Sequence, residues 1–157
     1  MNISASSDYA VRALLYIAHK SANKKKSSDR VSTQEIADHE DISMKYLETL
    51  LRKLRQAGLI ESFRGPTGGH ELSRSANEIS IADVIRAIDG PLAAVRGERP
   101  ESVDYVGSAK HLKKVWIAVR ASLRDILEEV SLAQVLSGNF PARVSRALSE
   151  PGAWSRR

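Results

Sequence analysis

The residues best suited to chemistry lie between Ile42 and Leu72. Polar side chains recur there at positions between leucines, namely Lys45, Glu48, Thr49, Arg52 and Lys53, and Arg64 stands just before a glycine-rich segment. Ammonium and guanidinium groups neutralise phosphates, and polar side chains on a helix can hydrogen-bond to base edges. The chemistry open to this stretch is therefore contact with a nucleic acid.

A helix must position these side chains. Four leucines recur at intervals of three and four residues, which places them on one helical face and leaves the polar residues on the other: Leu47, Leu50, Leu51 and Leu54. Ser43 is a candidate N-cap, and Gly58 can adopt the left-handed conformation that ends a helix. The pattern predicts a helix from about Met44 to Ala57.

A short hairpin should follow this helix. Strand candidates at 59–63 and 71–73 flank Gly65, Gly68 and Gly69, which permit a tight reversal. A phosphate-binding loop of the Walker type is excluded, because it would need Gly-Lys-Ser/Thr and a following helix. A helix followed by a hairpin indicates a winged helix, and Arg64 at the tip could enter a minor groove or remain solvated.

A second helix should precede the first. Ser32 and Glu35 match a capping box, which predicts a helix over 33–39, and residues 40–42 are few enough to force a sharp turn. Two helices joined in this way form either a helix-turn-helix or an ordinary helical hairpin. The wing immediately downstream favours the helix-turn-helix.

Composition narrows the function classes. The 157-residue chain has no cysteine, which excludes disulfides and thiolate-held metals. The net charge of +5 is spread over both halves of the chain and supports an anionic partner only weakly.

Asp8 and Arg12 interrupt the apolar N-terminus, which predicts an amphipathic helix over 9–19 and no membrane span or signal peptide. Scattered histidines and the lack of a catalytic motif argue against an enzyme, and we expect a cytoplasmic protein.

Five segments of the chain, taken in order, resemble the Rrf-two family of bacterial transcriptional regulators. They are YAVRALLYIA, IADHEDISMKYLETLLRKLRQAGLIES, RGPTGGHEL, ISIADVIRAIDGPL and VW…L…SLAQVL, within residues 1–137. The resemblance implies a mainly α fold with a small β-hairpin wing and a homodimer that binds double-stranded DNA. It also implies transcriptional control, mostly repression, which in several members depends on an iron–sulfur cluster.

The resemblance also implies which residues contact DNA. Ser43, Lys45, Glu48 and Thr49 match the base- and phosphate-facing positions of the recognition helix, and Arg64 matches the wing arginine. Arg52 joins them on the exposed face predicted from helical spacing. A glutamate among cations can accept a hydrogen bond from a cytosine amino group. Lys45 differs in type from its family counterpart. His70 replaces the usual tyrosine, which we interpret as a packing difference.

The loop that holds the cluster in relatives is expected at residues 91–108. Gly97, Lys110 and Lys113 fall near the expected cysteine positions, and Asp8 matches a carboxylate ligand of some relatives. One carboxylate cannot replace three thiolates, so we predict neither a metal nor a cofactor. A different effector could occupy a cavity beside this loop, with Trp116 and Tyr105 as candidate lining residues.

A long apolar stripe follows and is predicted to form a helix over 109–130. Its residues recur at intervals of three and four: Leu112, Val115, Trp116, Val119, Leu123, Ile126 and Leu127. A small winged domain does not need this helix for its own core, so we interpret it as a dimer interface, with intramolecular packing as the alternative. The predicted domains are the winged helix-turn-helix at 1–90, the loop at 91–108, the dimerisation region at 109–137 and an irregular tail at 138–157.

The sequence thus predicts a homodimeric regulator, expected to be a repressor, that binds an inverted-repeat operator without an iron–sulfur cluster. The alternative is a protein–protein interaction module, or a regulator controlled by a partner enzyme or a small molecule. The lysine-rich segment 20–30 is expected to be a surface loop, either solvated or close to DNA phosphates.

Overall fold

The structure, a computed structural model, describes residues 2–22 and 30–155. The prediction of a mainly α fold with a small hairpin is confirmed. In chain order the elements are α1 (Ala5–Ala22), α2 (Thr33–Glu40), α3 (Met44–Gln56), β1 (Ile60–Phe63), β2 (Gly69–Leu72), α4 (Ile81–Asp89), α5 (Leu112–Leu127), α6 (Leu132–Ser137) and α7 (Ala142–Ser149).

Helix α1 lies at the centre of the core. Ala13, Leu14 and Ile17 are fully buried, and the helix contacts α2, α3, α4, α6 and β2. It is longer than the predicted 9–19, and its last turn includes Lys20, so the segment expected to be a loop begins later. Most of the lysine-rich run lies outside the described residues.

Helix α2 is capped at its start, tied to α1 and followed by a tight turn into α3. Of the predicted capping box, only one half forms: Ser32 Oγ accepts a hydrogen bond from the Glu35 backbone N–H at 3.1 Å. The Glu35 carboxylate accepts from the Tyr16 hydroxyl at 3.1 Å and pairs with Lys20 at 2.8 Å, which ties α2 to α1. Asp41 takes the left-handed conformation, with φ 53°, and this allows the chain to turn within a few residues.

Helix α3 packs through the four predicted leucines, all of which are buried. Burying a leucine side chain contributes about 1.5–3 kcal/mol, so this face holds the helix against the core. Ser43 occupies the N-cap position, but its side chain makes no capping hydrogen bond, so the predicted capping role of its hydroxyl is wrong. The hydroxyl group of Ser43 is exposed instead.

The hairpin is antiparallel, with Ile60 opposite Leu72 and Phe63 opposite Gly69. The second strand starts two residues earlier than predicted. Val31, which precedes α2, extends the pairing: its N–H donates to the His70 carbonyl at 3.1 Å, and the His70 N–H donates back at 2.8 Å. The wing is therefore attached to the segment that leads into the helix-turn-helix.

Two helices of the C-terminal half, α4 and α6, pack against α1. A capping box of Ser80 and Asp83 begins α4, and Ser131 with Gln134 forms another at α6. Leu132 is fully buried and its N–H donates to the Ile79 carbonyl at 3.0 Å. Helix α5 is shorter than the predicted 109–130 and makes few contacts with the core, chiefly with α4 and the short 3₁₀ turn Pro100–Ser102.

The prediction of an irregular tail is wrong over Ala142–Ser149, which forms α7. Arg143 pairs with Asp125 of α5, and the Trp154 indole N–H donates to the Leu148 carbonyl at 3.0 Å. None of the helix's residues is buried, although Val144, Ala147 and Leu148 recur at helical spacing. Among the described residues, no helix is long and apolar enough to cross a membrane.

Candidate nucleic-acid interface

The exposed face of α3 carries the predicted contact residues together. Lys45, Glu48 and Arg52 are exposed, and Ser43 is exposed at the start of the helix. Thr49 is half-buried, and its Oγ1 donates to the Lys45 carbonyl at 3.2 Å. Lysine and arginine on one exposed face, with a carboxylate and a hydroxyl between them, can serve both phosphate contact and hydrogen bonding to bases.

Lys53 has a different role from its neighbours. Its Nζ donates to the Ile88 carbonyl at 3.0 Å, near the C-terminal end of α4. An ammonium group there satisfies a carbonyl that has no partner within its own helix. Lys53 therefore positions α3 against α4.

A cavity of about 230 Å³ lies between α3, the start of α2 and the hairpin, and three of its residues, Thr33, Arg55 and Ser62, were not identified from the sequence. It is lined by Thr33, Glu48, Leu51, Arg52, Arg55, Ser62 and His70. Arg55 continues the stripe of Glu48 and Arg52 at helical spacing, so the periodicity could have identified it. No local signal marks Thr33, because only the fold brings it to α3.

His70 joins three elements at this cavity. Its Nδ1 is 2.9 Å from Ser62 Oγ on β1, and its Nε2 is 2.9 Å from Thr33 Oγ1 on α2. Burial and the nearby Arg55 charge lower the pKa of the imidazole below its ordinary value. A neutral histidine with one donor and one acceptor nitrogen suits two hydroxyl partners, which agrees with the predicted packing role.

The tip of the hairpin presents Arg64, which is exposed. The turn is closed by the Gly68 N–H donating to the Gly65 carbonyl at 2.9 Å. Gly65 has a φ of +97°, and a Cβ on Gly68 would lie 2.4 Å from the Phe63 carbonyl oxygen. Gly69 then begins β2. The predicted glycines are therefore needed for this tight turn.

The base of the wing is held by Arg30, which sequence analysis did not single out. Its Cζ lies 3.3 Å from the centroid of the Phe63 ring, and its Nε is 3.7 Å from the Glu71 carboxylate. A guanidinium stacked on an aromatic face restrains both groups. The orientation of the wing relative to the start of α2 is thereby fixed at its base and at His70.

The residues at the family's cluster positions do not form a metal site. Gly97 lies in a turn closed by hydrogen bonds between Val95 and Glu98, and Lys113 Nζ pairs with Asp104 at 2.9 Å. Asp8 Oδ2 is 3.9 Å from the Arg12 guanidinium. In the described part of the chain, no three His, Cys, Asp or Glu side chains are placed to hold a metal ion.

The predicted dimer residues divide between two sides of α5. Val115, Val119 and Ile126 are exposed, whereas Leu112, Trp116, Leu123 and Leu127 are half-buried. Trp116, Val119 and Leu123 line an apolar cavity with the loop after α4. Trp116 therefore lines a cavity beside this loop as predicted. Tyr105 is not among the lining residues of that cavity, and its ring centroid is 6.0 Å from Arg96 Cζ.

Comparison with known proteins decides the family. A family model described as "Rrf2: Iron-dependent Transcriptional regulator" matches residues 3–138. The chain belongs to the Rrf2, or Rrf-two, family. Rv1287 of Mycobacterium tuberculosis, named as an HTH-type transcriptional regulator, is 42% identical over 93% of this chain and 88% of its own length. IscR of Cereibacter sphaeroides is 34% identical over 89% of this chain and 90% of its own.

Solved structures agree with this assignment. CymR of B. subtilis, described as the global cysteine regulator, superposes with a TM-score of 0.70 at 27% identity, covering 88% of this chain and 98% of its own. T. potens IscR superposes with a TM-score of 0.67 at 30% identity, covering 88% of this chain and 88% of its own. This Rrf2 protein is thus a winged-helix DNA-binding transcriptional regulator and not an enzyme. The iron dependence in the family description has no matching donor set among the described residues.

Proposed function

We propose that this Rrf2 protein acts as a homodimer that binds an inverted-repeat operator and represses transcription without an iron–sulfur cluster. The observation that carries the dimer is the apolar outer side of α5. Val115, Val119 and Ile126 are 51%, 43% and 36% exposed. At about 100° per residue these three side chains project within one narrow sector of the helix. Such a stripe on a helix with few core contacts is expected to pack against its counterpart in a second copy.

The exposed polar face of α3 supports binding to an inverted-repeat operator. Two-fold symmetry would place the two α3 helices about one turn of DNA apart, roughly 34 Å. Lys45 and Arg52 would supply phosphate contacts and salt dependence, while Glu48, Thr49 and Arg64 would carry discrimination between sequences. Repression follows if the operator overlaps a promoter, and we expect this activity in the cytoplasm, where bacterial DNA is located.

Selection from a pool of random duplexes tests the operator. The full chain is incubated with the pool, and bound DNA is amplified and sequenced over several rounds. We expect an inverted repeat whose half-site centres are about 10 base pairs apart. Enrichment of a single unpaired half-site would contradict the two-fold arrangement. Failure to enrich any sequence would favour the alternative in which the winged domain serves a partner protein.

Light scattering coupled to gel filtration tests the dimer. Val115→Asp places a charge in the apolar stripe and should shift the chain to a monomer, because a desolvated carboxylate is costly in an apolar interface. Ala121→Asp introduces the same charge at an exposed position on another side of α5 and should remain a dimer. A monomeric wild type, or equal effects of both variants, would contradict α5 as the interface.

A further inference from the structure

A cleft of about 500 Å³ lies where the C-terminal end of α4, the following loop and α5 meet. Four arginines line it, together with a single glutamate. Arg86 comes from α4, Arg99 and Glu101 come from the loop, and Arg120 and Arg124 come from α5; the remaining wall is formed by Gly90, Pro91, Leu92 and Ala93. None of these residues belongs to α2, α3 or the wing, so the cleft is separate from the DNA-binding surface.

Ion pairs within the protein leave an excess of positive charge there. Arg120 pairs with Glu101, while Arg86 and Arg124 share the carboxylate of Glu128. Both carboxyl groups have pKa values below their ordinary values: the largest cause is a backbone hydrogen bond for Glu101 and the Arg86 hydrogen bond for Glu128. Both are therefore ionised at neutral pH.

Arg99 forms an ion pair with neither carboxylate, although its charge is near enough to help lower the pKa of Glu101. It is exposed and forms no salt bridge to any residue in the part of the chain that the structure describes. Guanidinium groups that converge on one cleft repel each other unless anions balance them. A planar fork of donors is also the geometry that binds a carboxylate through two hydrogen bonds. The cleft is thus complementary to an anionic group.

An apolar cavity of about 260 Å³ adjoins the cleft, and the two share Leu92 and Ala93 in their walls. Its other lining residues are Ala94, Val95, Pro100, Trp116, Val119 and Leu123. An apolar cavity of about 150 Å³ can hold a benzene molecule, so this one has room for an aromatic ring with a short chain. The Trp116 indole N–H is buried and has no acceptor among the described residues.

We propose that the arginine-lined cleft and the apolar cavity form one binding site for a small arylalkyl carboxylic acid, with the carboxylate among the arginines and the ring beside Trp116. The charge selects the acid, and the apolar walls select its ring. This site goes beyond DNA recognition, because ligand binding to it is measured without DNA. It lies between α5 and the core, where a bound acid would add contacts between the two.

Calorimetric titration of the full chain tests the site with a graded series of probes. Phenylacetate, 3-phenylpropionate and 4-phenylbutyrate vary the distance between ring and carboxylate, and we expect at least one of them to bind once per chain. The matching amide lacks the charge and propionate lacks the ring, so each should bind at least about tenfold more weakly than the best acid. The absence of binding by all three acids at millimolar concentration would overturn the proposal. Equal affinity for the amide, propionate or inorganic phosphate would also overturn it.

A pair of variants locates the binding. Arg99→Gln removes the arginine that has no salt bridge, so the fold should be retained, and affinity for the best acid should fall by at least about fivefold. Arg146→Gln makes the same charge change on the exposed surface of α7 and should leave affinity unchanged. Equal affinities of Arg99→Gln and wild type, or equal losses in both variants, would overturn the assignment. Selection of an operator by the wild type is unaffected by any of these results.

Discussion

Truncating Glu48 to alanine should separate sequence discrimination from general affinity for DNA. Glu48 is exposed on α3 and forms no salt bridge to another described residue. A surface substitution of this kind changes the free energy of unfolding by less than about 0.5 kcal/mol, so the fold should be unaffected. Any change in DNA binding can therefore be assigned to the lost carboxylate.

The expected magnitude follows from what the carboxylate can do in a groove. A good polar contact to a base edge is worth about 1–3 kcal/mol of discrimination, or roughly five- to 150-fold in affinity. A carboxylate also repels phosphates, so its removal should not weaken binding to random duplex. The ratio of operator to random affinity should therefore fall about five- to 150-fold.

Fluorescence anisotropy titrations at one fixed salt concentration measure both affinities, with the operator taken from the random-duplex selection. Glu129→Ala, which removes an exposed glutamate beyond the end of α5, is the charge-matched control and should leave the ratio unchanged. Equal losses on operator and random duplex in Glu48→Ala would refute a base-reading role. An unchanged ratio would refute it as well.

Three further outcomes test the wing. Arg64→Ala should weaken binding most on operators with an A·T-rich segment beneath the wing, because narrow minor grooves attract arginine, and competition between matched duplexes measures this. Gly68→Ala should destabilise the hairpin by about 1–3 kcal/mol in denaturant titrations, because its Cβ would overlap the Phe63 carbonyl. The lowered pKa of His70 means that the unfolded chain binds a proton more readily than the folded chain. Stability should therefore fall as the pH drops below about 6.5, and thermal melts of His70→Gln should show a weaker dependence over that range.

Elements with strong local signals could be predicted from the sequence. The four leucines of α3 lie on its buried face, and the Ser80 and Asp83 capping pair begins α4. Helical periodicity and caps act over a few residues, so no distant contact is needed to recognise them. Helix α7 was missed although Val144, Ala147 and Leu148 recur at helical spacing. It buries none of its residues, and its attachment through Arg143 depends on a residue of another helix.

The amino-acid sequence by itself determined the helix-turn-helix, the glycine-turned wing, the absence of thiolates and the polar face of α3, because each depends on residue type and short spacing. Tertiary structure alone decided which distant residues meet. It brought Thr33 to His70, laid Arg30 over Phe63 and gathered arginines from α4, α5 and the loop around one cleft. Contacts between elements are set by how buried faces pack, and that packing depends on the whole core at once.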